Sequence, residues 1–224
     1  METPVIPAKR SKQPTETRQA GLVEAALLLA AQRSPADITT ADLARAVGIT
    51  QGAVFRHFAS KEAVWLAALD WTAATLMARL QAAADAELTA AQNDSPLAAL
   101  RAVFIAHVDF MVAHPGVPRV VFQELQHAQD TALKLRVRGL LQQYRMLLAG
   151  LLQRAQAQGL LAPGTDLAAA TVLFVGSVQG LLMQALISGD VGAMAGQAPG
   201  VFAIYLRGLA APAPANPALP KETP

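Results

Sequence analysis

From Thr17 to Leu209 nearly every stretch is rich in Ala and Leu, and its apolar residues recur at helical spacing. Nowhere does a run of Val, Ile and aromatics alternate with polar residues in the way a half-buried strand requires. This pattern restricts the chain to an all-α fold, and the breakers Gly and Pro cut it into about nine helices. Hydrophobic residues make up 53% of the 224, ample for a core, while charged residues make up only 15%, too few for a disordered chain. No internal repeat is visible.

Helix one is expected over about 17–32. Helix two follows Thr39, whose hydroxyl pairs with Asp42 as a capping-box variant, and ends at Gly48. Helix three covers 50–58, and Ser60 caps a fourth helix to about 91. Ser95 and Pro96 open helix five, and His114-Pro115-Gly116 stops it. A short helix at 119–126, a long one at 129–158, a helix capped by Thr165 or Asp166 running to Ser188, and a last one at 199–209 complete the set. Residues 1–14 read as a mobile basic arm and 211–224 as a Pro-rich tail that packs as neither helix nor strand. No apolar stretch of the kind a secretory signal needs appears in the first 18 residues.

The segment 40–58, TADLARAVGITQGAVFRHF, carries the most specific signal. Ala44 falls where two helices cross and only a small side chain fits. Gly48 stands four residues later, at a turn where positive φ is easiest for glycine. Val54, six residues beyond, plugs the angle between the helices, with Leu43 and Val47 completing the contact. The spacing is that of a helix-turn-helix, whose second helix enters the major groove.

Three blocks in order, Ile38 to Ala44, Gly48 to Phe58, and Ser60 to Trp65, resemble the N-terminal domain of the TetR family of transcriptional regulators. The resemblance covers roughly residues 17–66. It implies a three-helix DNA-binding domain at 15–62 and a helical ligand-binding and dimerisation domain at 63–210. It further implies a homodimer on a palindromic or near-palindromic double-stranded operator, repression as the usual mode, and a cytoplasmic regulator that is not an enzyme.

Carried onto this sequence, the family's contacts fall on Thr50 and Gln51 at the start of the recognition helix, where Gln can bond adenine through two hydrogen bonds. Gly52 and Ala53 would allow close approach. Arg56 and His57 would reach phosphates or bases, and Lys61 resembles the family's phosphate-binding lysine. Thr40 would clamp a phosphate at the start of helix two. Phe55 stands where many members carry tyrosine, which removes a hydroxyl bond to phosphate. Lys9, Arg10, Lys12 and Arg18 are candidates to follow the duplex into a minor groove. The net charge of +2 is too mild to argue nucleic-acid binding without these positions.

In the body, Phe104, His107, Val108 and Met111 recur at i, i+3, i+4 and i+7. With Met77, Phe110, Phe122, Tyr144 and Phe174 they could line a pocket for a lipophilic or aromatic effector, or simply form a bundle core. Leu167 to Gly189 carries no charge and contains the pair Gly176 and Gly180. A membrane span would read this way, but Thr171, Ser177, Gln179 and Gln184 recur through it and its flanks lack basic clusters and aromatic anchors. A helix buried against a second subunit fits better. The expected dimer face is Gly176, Gly180 and Met183 with Phe202, Tyr205 and Leu206 of the last helix.

No cofactor or metal is expected. There are no cysteines, and the spacings of His107, His114 and His127 form no local ligand pair. No Gly-rich phosphate loop, G-x-S-x-G or H-E-x-x-H motif supports an enzyme. The rival reading is an architectural, nucleoid-associated DNA binder that responds to no ligand.

Overall fold

A computed structural model describes residues 15–89 and 95–209. Among them are nine α-helices and no strand: α1 (Thr15–Gln32), α2 (Thr40–Ala46), α3 (Gln51–Val54), α4 (Lys61–Leu88), α5 (Pro96–Ala113), α6 (Gly116–Leu125), α7 (Ala132–Ala157), α8 (Leu167–Ser188) and α9 (Ala193–Leu209), with a 3₁₀ turn at Pro35–Asp37. The 1–14 arm, with Lys9, Arg10 and Lys12, and the 211–224 tail lie outside the described residues.

The chain forms two compact units. One holds residues up to Ala73 together with His114–Arg138, and the other holds Ala74–Ala113 and the chain from Gly139 onward. Helices α4 and α7 each contribute residues to both.

In the first unit α1 supplies Leu22, Ala26 and Ala30, all fully buried, and α6 lies against it. The approach is close because Gly116 has no side chain. A Cβ at that position would fall 1.9 Å from the Leu27 carbonyl oxygen, a backbone atom that cannot move aside alone. The second unit is built around α5, α8 and α9, with Phe104, Phe174 and Phe202 fully or almost fully buried.

Several helices differ from their expected extents; α7, for one, begins at Ala132 rather than near 129. Helix α3 is regular only over four residues and then tightens: the His57 N–H donates to the Val54 carbonyl three residues back, at 2.9 Å. Helix α6 begins at Gly116 rather than near 119. Helix α9 begins at Ala193, six residues before Pro199. Gly189 ends α8 in the left-handed region at φ 78°, and the Asp190 carboxylate then accepts the Ala193 N–H at 3.1 Å. Pro199 is therefore interior, and the carbonyl it cannot serve belongs to exposed Ala195.

The α1–α6 contact predicts a contrast between two glycines. Gly116→Ala should destabilise by about 1–3 kcal/mol, because the added methyl group overpacks a backbone contact. Gly21→Ala, where nothing lies within 4 Å of the new Cβ, should be neutral or stabilising by up to ~1 kcal/mol. Urea unfolding of both variants measures the difference.

Candidate nucleic-acid interface

The angle between α2 and α3 follows from three residues. Ala44 is buried at the crossing, and Gly48 turns the chain at φ 67°. Val54, 1% exposed, fills the corner. The Ile49 N–H closes the turn by donating to the Ala44 carbonyl at 2.9 Å. The packing roles assigned to these residues, and to buried Phe58, are thus those seen in the structure.

Capping fixes both helix starts. The Asp42 carboxylate accepts from the Thr39 N–H at 2.9 Å and its hydroxyl at 2.7 Å, while the Asp42 N–H donates back to the Thr39 hydroxyl oxygen at 3.2 Å. Arg33 and Arg45 pair with the same carboxylate at 2.8 and 3.1 Å. The Thr39 bonds and the Arg33 charge hold the Asp42 carboxyl at about 2, below its ordinary 3.8. Its share of stability is therefore present above pH 4 and lost as the pH falls toward 2. At α3 the Thr50 hydroxyl oxygen accepts the Ala53 N–H at 3.3 Å.

With its inner side packed, this element leaves Thr50, Gln51, Gly52, Phe55 and Arg56 exposed. Phe55 is half exposed, an unusual placement for a bare phenyl ring, and open space surrounds Gly52. One expected contact needs correction, and a second residue is partly enclosed. Ala53 is only 5% exposed, because the short α3 turns its methyl group into the core with Val54, so it does not present itself to a duplex. His57 is only partly exposed, and its Nδ1 is buried without a hydrogen-bond partner. Its backbone carbonyl accepts from Gln19 of α1 at 2.9 Å, which holds the end of the turn against the core.

Thr40 is partly exposed, and its hydroxyl oxygen accepts a 2.8 Å bond from Gln51 Nε2. Lys61 Nζ donates to the Ala36 carbonyl at 2.9 Å, tying the start of α4 to the 3₁₀ turn. The same turn is held from α6, where Gln123 Oε1 accepts the Ala36 N–H at 3.0 Å. Sequence reasoning missed Gln123, which lies 87 positions from its partner. It also missed Arg45, whose side chain is mostly exposed on α2 beside the proposed interface; the i,i+3 pairing with Asp42 was its available signal.

In the second unit, Phe104, Tyr144 and Phe174 pack with Phe202 and Tyr205 as edge-to-face or tilted pairs 5.2 to 6.3 Å apart. His107 Nδ1 and the Tyr144 hydroxyl are hydrogen-bonded at 2.9 Å inside this cluster. Phe110 and Met111 are buried in the same unit and Met77 is partly buried, whereas Phe122 belongs to the first unit. Two surface clefts of the second unit, about 370 and 360 Å³, are lined by none of the residues expected to line an effector pocket, although Tyr205 borders the second.

The expected dimer face also changes. Gly176, Gly180 and Met183 face outward, and Leu206 is partly exposed. Phe202 and Tyr205 are 1% and 3% exposed because α9 turns them into the protomer's own aromatic core, where the Tyr205 hydroxyl donates to the Ala170 carbonyl at 3.1 Å. Ile204 is the outward apolar residue of α9.

Two family models match: "Bacterial regulatory proteins, tetR family" over residues 22–68, and "Tetracyclin repressor-like, C-terminal domain" over 93–183. Together they cover more than half of the sequence. The chain belongs to the TetR family. The first match spans the helix-turn-helix and its caps, and the second spans α5, α6, α7 and most of α8.

Among sequence relatives of this TetR-family chain, the nucleoid occlusion factor SlmA of Haemophilus ducreyi is 30% identical over 138 residues, 61% of this chain and 64% of that protein. The chain thus matches somewhat under two thirds of that relative's length. SlmA of Haemophilus influenzae is 28% identical over 153 residues, 68% of this chain and 66% of that protein. Among solved structures, the fold is similar to that of FadR from Bacillus subtilis in complex with stearoyl-CoA, with a TM-score of 0.72 and 15% identity over 84% of this chain and 98% of that one. It is equally similar to the ketosteroid regulator KstR2 of Mycobacterium tuberculosis, with a TM-score of 0.72 and 21% identity over 91% and 100% of the two chains.

The buried His107–Tyr144 pair generates a pH prediction. Burial lowers the imidazole to about 4 from 6.5, so the native state holds it neutral while the unfolded chain binds a proton. Stability from this group is complete above about pH 6.5 and is lost as the pH falls to 4, a total of ~3 kcal/mol. His107→Phe should be less stable than the wild type at pH 7.5 by about 1–3 kcal/mol, since the Tyr144 hydroxyl loses its partner. That gap should shrink or reverse at pH 4.5 in denaturant unfolding.

Proposed function

We propose that this chain is a sequence-specific regulator of transcription that binds double-stranded DNA as a homodimer and represses until a small, largely apolar ligand releases it. The observation that carries the reading is the outward side of α3 and the turn that follows it, where Gln51, Phe55 and Arg56 stand exposed while Ala53, Val54 and Phe58 are buried on the inner side. The match to the family's N-terminal model over 22–68 supports it. No catalytic step is assigned, and a cytoplasmic location follows from the role.

On this reading Gln51 and Phe55 address base edges in the major groove, and Phe55 suits a thymine methyl group. Arg56 and Lys61, with the backbone N–H groups at the start of α2, address the phosphates. Dimerisation is supported by an uncharged outward stripe on α8, with Val172, Leu173, Met183 and Ile187 exposed, beside Ile204 of α9. Open space around Gly176 and Gly180 leaves room for a partner helix. Helices α5 and α8 are each long and apolar enough to cross a membrane, but about half of each is buried within the protein, as befits helices packed in a bundle. A ligand entering the second unit would meet the His107–Tyr144 pair as the polar group in an apolar setting, and the continuity of α4 through both units supplies a route to the DNA-reading element.

A second reading, a nucleoid-associated DNA binder that needs no small ligand, is favoured by the SlmA relatives. Binding sites mapped on the source genome separate the two. A regulator should occupy few sites beside promoters, and a nucleoid-associated factor many dispersed ones.

Gln51→Ala should lower preference for the selected sequence at one base step by ~1–3 kcal/mol while sparing affinity for random DNA. Lys61→Ala should weaken binding to both and reduce the salt slope by about one phosphate's worth. Electrophoretic titrations at several salt concentrations read both effects. Ile204→Glu should convert the dimer to monomer in sedimentation, and an unchanged dimer would remove this face from the interface.

A further inference from the structure

The hydrogen bond between Gln51 and Thr40 joins the first residues of two helices eleven positions apart. Each end is fixed independently. Thr40 opens α2 behind the Thr39–Asp42 capping box, and Gln51 opens α3 behind the Thr50 cap. The turn at Gly48 sets the angle that brings the two side chains to 2.8 Å. Thr40 is therefore placed to do more than meet a phosphate.

An exposed glutamine amide samples many rotamers and offers either a donor or an acceptor toward a duplex. The bond to Thr40 commits one of its two N–H groups and leaves one N–H and Oε1 free. One donor and one acceptor are what two-point recognition of an adenine edge requires. Fixing the amide beforehand also removes rotamer freedom that binding would otherwise have to freeze.

We propose that Thr40 is a positioning residue for sequence readout: its hydroxyl holds the Gln51 amide in the orientation that selects one base. The proposal rests on the DNA-binding reading and deepens it at a single base step. A phosphate contact by Thr40 would weaken binding to every sequence equally, whereas a positioning role changes preference at the step that Gln51 addresses and nowhere else.

The test is selection from a randomised duplex library with the full-length wild type, Thr40→Val, Thr40→Ser, Gln51→Ala and the Thr40→Val/Gln51→Ala double variant. Binding constants are then measured on the selected site and on its single-base variants. Valine keeps the shape of threonine and removes the hydroxyl; serine keeps the hydroxyl. Thr40→Val should lose about five- to tenfold of the discrimination at the same base step that Gln51→Ala affects, within the range of one two-point base contact. Thr40→Ser should restore it, and the double variant should discriminate no worse than Gln51→Ala alone. Full discrimination in Thr40→Val, or uniform weakening across all sequences, overturns the proposal while leaving the DNA-binding reading intact. A folded wild type that selects no sequence overturns both, with circular dichroism of each variant verifying the fold.

Discussion

The fixed angle between α2 and α3 is the constraint on which the rest of the molecule's reading depends. It is a packing angle set by residues that cannot be much larger or differently shaped. Ala44 permits the crossing, Gly48 supplies a left-handed turn, and Val54 fills the corner. Everything outward of that corner is available to a partner. A change of a few degrees would move Gln51 away from Thr40 and re-aim Phe55 and Arg56.

The supports of this angle lie partly beyond the motif. Asp42 collects the Thr39 cap and two arginines, so one carboxylate closes the start of α2 and neutralises charge around it. Gln123 of α6 and Lys61 of α4 hold opposite groups of Ala36, the N–H and the carbonyl, so the 3₁₀ turn before α2 is clamped from two helices. Gly116 lets α6 approach α1 closely. The DNA-reading element is thus rigid in its own unit, which suits recognition that depends on side chains held in place.

Local signals were legible in the sequence to different depths. The all-α class, the Thr39 cap, the Gly48 turn and the buried faces of Leu22 and Val54 follow from spacing and side-chain chemistry alone. The extent of α9 did not, because Pro199 reads as a helix start and only the Asp190 cap upstream outweighs it. Ala53 and Phe202 were misassigned for one reason: in short or apolar-all-round helices, sequence periodicity does not distinguish the inward face from the outward one. Long-range pairings such as Ala36 with Gln123, or His107 with Tyr144, leave no trace in a single sequence.

The central claim is that residues 40–58 present a DNA-reading surface in duplicate. Hydroxyl-radical footprinting of a selected duplex tests it most directly. Two protected patches on one face of the duplex, centred about 34 Å apart, are predicted for two recognition helices meeting successive major grooves. A single patch, or protection spread evenly along any fragment offered, would contradict it.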